Sequence, residues 1–106
     1  MPGFRKSAKW KRARAAEIAR RDGPDCWLCT RPIPKVPKRP GQRASIEHLV
    51  ARVHGGGNEL ENLVLCHDAC NRHLGDRPID RKLKMRAKWH QSAARQAAPG
   101  ARRRQL

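Results

Sequence analysis

The stretch that decides the fold runs from Ser45 to Arg72 and reads SIEHLVARVHGGGNELENLVLCHDACNR. It opens on a strand candidate, Ser45 to Val50, in which β-branched Ile46 and Val50 share a parity. Three consecutive glycines, Gly55-Gly56-Gly57, lie within His54 to Asn58 and require a turn or wide loop. Leu63 to Cys66 is a second strand candidate, and a short helix is expected from near Asp68 to a C-cap at Gly75. The centre reads strand, glycine-rich loop, strand, helix.

Upstream, Trp10, Ala13, Ile18 and Ala19 recur near helical spacing, predicting a helix from about Trp10 to Arg21. Met1 to Lys9 then reads as a loose basic arm. Asp22-Gly23-Pro24-Asp25 ends the helix with turn chemistry, and Cys26-Trp27-Leu28-Cys29 follows as a tight knuckle. Pro32, Pro34, Pro37 and Pro40 make Arg31 to Arg43 an extended loop. Downstream, Pro78 opens a last helix to about Ala97, which Pro99-Gly100 closes before a basic tail at 98–106. These boundaries give one domain over 10–97, with its centre at about 44–75.

A chain of 106 residues has room for one compact domain. Its mean hydropathy is −0.89, and large aromatic surface comes from one Phe and three Trp. So little apolar material calls for a staple. No apolar run resembles a signal-peptide core or approaches a membrane span. A reducing cytoplasm is therefore the expected setting, and there closely spaced cysteines favour metal over disulfide.

Lys and Arg number 25 against nine Asp and Glu, a net charge of +16. A field that strong attracts polyanions, and duplex DNA, read through its backbone, is the favoured partner. An anionic membrane surface is a poorer fit, because no basic segment carries a continuous apolar face. No acidic residue occurs before Glu17 or after Asp80, so the carboxylates fall toward the middle of the chain.

Cys26 and Cys29 have the two-residue gap at which a tight turn presents both thiolates to one ion. Cys66-His67-Asp68-Ala69-Cys70 supplies the second pair in two ways. His67 with Cys70 keeps the same gap and is preferred; Cys66 in place of His67 is the alternative. Both cannot easily serve together, since neighbours on a strand face opposite ways. Buried, inert thiols are the remaining reading.

Glu47-His48-Leu49-Val50, Gly55-Gly56-Gly57, Asn62-Leu63-Val64-Leu65 and Cys70-Asn71-Arg72, in this order, resemble the HNH endonuclease family, especially its short bacterial and bacteriophage members. Trp10, Arg14, Ile18, Arg21-Asp22-Gly23 and the knuckle extend the likeness upstream. The resemblance implies a small α+β fold: a ββα-metal (HNH, His-Me finger) unit stapled by a structural zinc, with flanking N- and C-terminal helices. It also implies metal-dependent hydrolysis of DNA phosphodiesters, with limited sequence specificity, in a bacterial or phage-infected cell.

By position, Glu47 and Asn71 would ligate a catalytic Mg²⁺ or Mn²⁺, His48 would be the general base, and Asn62 would brace the loop. Arg72 and Arg77 are candidate phosphate contacts. Two positions depart from the family's habit: Glu47 stands where Asp is common, and Leu74 where a basic residue is common. The chemistry agrees with the likeness. An imidazole titrating near neutrality can take a proton from water, and oxygen ligands suit a hard cation. The competing reading is a zinc-binding nucleic-acid protein that cuts nothing. A small RNA-binding or ribosome-associated protein would explain the charge but not the Glu-His, triple-glycine and Asn spacing.

Overall fold

The computed structural model describes residues 7–97. The first six residues of the expected arm, the Pro99-Gly100 stop and the basic tail lie outside them. Helix α1 spans Ala8–Asp22. It begins two residues ahead of the expected start because Ser7 caps it, its side chain accepting from the Trp10 N–H at 3.0 Å. Ala8 and Lys9 therefore belong to the helix rather than to an arm.

Strands β1 (Ala44–His48) and β2 (Leu63–His67) form a two-stranded antiparallel sheet that pairs Glu47 with Val64 and His48 with Leu63. Helix α2 (Asp68–Leu74) follows β2 directly, and α3 covers Ile79–Ala97. The result is a small α+β fold with a ββα centre between flanking helices, as the sequence implies. Three single 3₁₀ turns, Pro40–Gln42, Arg52–His54 and Leu60–Asn62, punctuate the loops. The proline-rich segment is thus not extended throughout: it bridges to the knuckle at Asp25–Pro32 and turns just before β1.

β1 stops at His48, two residues short of the expected Val50. Past that point the partner is a side chain: the Val50 N–H donates to Asn62 Oδ1 at 2.8 Å. The adjacent Leu49 N–H still reaches the Asn62 carbonyl, at 2.9 Å.

β2 is covered on both faces, which explains its unbroken apolar run. Leu63 and Leu65 pack with Ile18 of α1, backed by Trp10 and Ala15. Val64 and Cys66 face the other way, onto Cys26, Leu28 and Leu74, with Trp27, Met85 and Trp89 at the edge. Leu74 is fully buried there, so its apolar side chain closes the core where a cation would have stood. Arg21 joins α1 to the hairpin by donating to the Leu60 and Leu63 carbonyls at 2.8 and 2.7 Å.

α3 lies against the knuckle through Met85, Arg86, Trp89 and His90, and Lys82, on the same stripe at helical spacing, reaches β1. Arg86 Nε and His90 Nε2 both reach the Trp27 carbonyl, at 2.9 and 3.3 Å, and the Arg86 guanidinium sits 4.9 Å from the Trp27 ring centre. None of the described helices is long and apolar enough to cross a membrane.

Candidate active site and metal centre

The knuckle and the β2–α2 junction bring Cys26, Cys29, His67 and Cys70 together, with their ligand atoms all within 4.8 Å of one another. His67 Nδ1 lies 3.3 Å from Cys29 Sγ and 3.9 Å from Cys70 Sγ. A zinc tetrahedron with arms of about 2.0–2.3 Å has edges of roughly 3.5–3.8 Å, so the spacing fits. His67 Nε2 faces the Pro32 carbonyl at 3.1 Å. A carbonyl only accepts, so Nε2 carries the proton and Nδ1 is left as the ligand atom. Three thiols and one imidazole form a donor set compatible with structural zinc.

Cys66 is outside this cluster. Its fully buried side chain lies in the core, and its thiol hydrogen-bonds Cys26, the main reason the Cys26 thiol is held down at about 3. That bond, with burial, pushes Cys66 up. Cys29 and Cys70 are raised chiefly by burial.

Glu47, His48, Asn71, Asp76 and Lys82 line one cleft of about 340 Å³ with Arg52 and Arg72. Glu47 and His48 leave β1 on opposite parities, and only Glu47, 4% exposed, is buried. Lys82 Nζ lies 2.8 Å from Glu47 Oε2, an ion pair in which both side chains are almost sealed from solvent, at 1% and 5% exposure. Apart from this ion pair, Oε2 has no hydrogen-bond partner. Burial pushes the Glu47 carboxyl above its ordinary range, Lys82 pulls it back, and the Asp76 charge adds to the rise.

Asn71 Nδ2 donates to Ser45 Oγ at 2.7 Å and to the Ile46 carbonyl at 3.1 Å, tying α2 to β1. Both amide hydrogens are so engaged, and Oδ1 remains as the acceptor on that side chain. His48 Nε2 meets Asn58 Oδ1 at 2.8 Å. By the same logic as for His67, Asn58 keeps the proton on Nε2 and leaves Nδ1 with its lone pair.

Asn62 is buried and makes three hydrogen bonds to the loop: it accepts from Val50 N–H and donates to the Val50 and Gly57 carbonyls. The loop closes so tightly that a Cβ on Gly56 would stand 1.7 Å from the Val50 carbonyl oxygen. Gly55, at φ 91°, ends the Arg52–His54 turn in the left-handed region. His54 Nε2 meets the Asp76 carbonyl at 2.9 Å and holds the loop to the end of α2.

Arg72 is exposed beside the cleft, 3.6 Å from Asp68. Arg77 instead donates to the His73 and Leu74 carbonyls, capping α2, so its cation is partly committed to the fold. Sequence reasoning did not assign a role to Asn58, Asp76 or Lys82.

A knuckle-braced ββα unit with a carboxylate, an imidazole and an amide around one cleft has the ββα-metal architecture. Residues 26–77 match the family described as HNH endonuclease, so the chain carries an HNH endonuclease domain. Comparison with curated proteins and with solved structures gives no match.

Proposed function

We propose that this protein is a metal-dependent endonuclease that hydrolyses DNA phosphodiester bonds with limited sequence preference. The observation that carries this reading is the convergence of Glu47, His48 and Asn71 on one cleft within an HNH domain. Glu47 and the Asn71 amide oxygen offer the oxygen donors that Mg²⁺ or Mn²⁺ prefers. A bound divalent cation supplies charge relief at the scissile phosphate and at the departing oxygen.

The chain's own residues do the rest. His48 accepts the attacking water's proton at Nδ1, the nitrogen that Asn58 leaves free. Asn62 keeps the loop closed, so that Asn58 stays opposite His48. Arg72 and the basic surface draw the DNA backbone toward the cleft, and Arg77 contributes what its capping role leaves. With one cleft per chain, a single copy nicks; cutting both strands together takes a second copy. The zinc-bearing knuckle holds the base of the unit.

The test is supercoiled plasmid incubated with full-length protein and Mg²⁺, Mn²⁺ or EDTA, with DNA binding measured in parallel. Conversion to open circles with either metal and none in EDTA is the expected result. Tight binding without cleavage under any metal would favour a zinc-dependent nucleic-acid binder that cuts nothing.

A further inference from the structure

The most unusual group in the molecule is a lysine that the proposed chemistry does not use. Lys82 is 1% exposed, and its ammonium contacts both Glu47 Oε2, at 2.8 Å, and the His48 carbonyl, at 2.7 Å. It belongs to α3 and lies beyond the HNH-matched segment, 26–77. The ammonium therefore reaches the two adjacent site residues of β1 from an element outside that segment. A buried carboxylate without a counter-charge is costly, and Lys82 supplies that charge in the ion-free protein.

We infer that Lys82 is a resident cation of the active site, which competes with the divalent ion for Glu47 and sets the ion concentration at which the site fills. The inference rests on the reading of Glu47 as an ion ligand. An incoming divalent ion at Glu47 meets an ammonium already on the same carboxylate. The two cations repel across a few ångströms beside side chains almost sealed from solvent, where screening is weak. Lys82 must give up Oε2 or tolerate the repulsion, and either course weakens ion binding. Asp76, in the same cleft, moderates the repulsion without removing it.

The test is Mn²⁺ affinity of the zinc-loaded, DNA-free full chain, read by electron paramagnetic resonance, for wild type, Lys82→Met and Glu47→Gln. The expected result is binding at least about tenfold tighter in Lys82→Met, from loss of a near-contact repulsion, and lost in Glu47→Gln. Unchanged or weaker binding in Lys82→Met, with Glu47→Gln still abolishing it, overturns the resident cation and leaves the ligand role of Glu47 standing. Mn²⁺ binding indifferent to Glu47→Gln overturns that role, and the inference with it. Should Lys82→Met fail to fold, the wild-type ammonium can be followed by ¹⁵N NMR, since its burial slows proton exchange. Its resonance is expected to move as Mg²⁺ saturates the site, and a resonance unmoved at saturation contradicts the competition.

Discussion

The Asn62 amide takes over from the β-ladder where β1 ends. Its three hydrogen bonds satisfy Val50 on both backbone groups and the Gly57 carbonyl, in a place shielded from water. Asn62→Ala is expected to cost about 2–4 kcal/mol, since buried backbone groups lose their partners; chemical denaturation of zinc-loaded protein measures it. Asn62→Asp should not rescue, because it sets an oxygen against two carbonyl oxygens. At this scale, legibility follows locality. The ligand pairs at Cys26/Cys29 and His67/Cys70 show in the sequence because two-residue gaps are local geometry. The choice of His67 over Cys66 follows from the repeated two-residue gap, and strand parity adds only that both cannot easily reach one ion. The Glu47–Lys82 pair does not show, because nothing local to either residue announces a partner 35 positions away that only the docking of α3 supplies.

Elements were largely legible, their ends less so. All three helices and both strands follow from periodicity, turn residues and caps. β1 runs short because a side chain outcompetes the ladder, and α1 runs long because Ser7 is a better cap than the basic residues after it. The role of α3 was less visible than its existence. Its inward stripe mixes Met85 and Trp89 with Lys82, Arg86 and His90, and nothing local shows that the Trp27 carbonyl receives two of those charged or polar groups. Arg86→Ala removes one hydrogen bond and the stack on Trp27, and is expected to lower stability by about 1–2 kcal/mol. On the proposed reading, zinc at the Cys26, Cys29, His67 and Cys70 cluster holds the knuckle. Stripping zinc with a strong chelator is expected to unfold this end and expose Trp27, seen as a red shift in tryptophan emission with loss of near-ultraviolet circular dichroism. A chelated protein with unchanged spectra would show that the cysteines are inert core.

Taken as a whole, the molecule combines a small core, a metal-ready knuckle and a net charge of +16. On the proposed function, the charge governs encounter with DNA rather than cleavage. Binding to a duplex should therefore weaken steeply with salt: a footprint of about six phosphates loses roughly a thousandfold in affinity between about 50 and 200 mM. Fluorescence anisotropy across a salt series measures the slope, and a flat response would argue against backbone recognition. Cleavage should instead depend on the cleft between β1, α2 and α3. The most direct measurement is the single-turnover cleavage rate of His48→Ala against wild type, at saturating Mg²⁺, with zinc content and DNA affinity shown to be equal. A fall of about 10²–10⁴-fold, the usual worth of a general base, is the result this account predicts. A His48→Ala protein that cuts at the wild-type rate would contradict it.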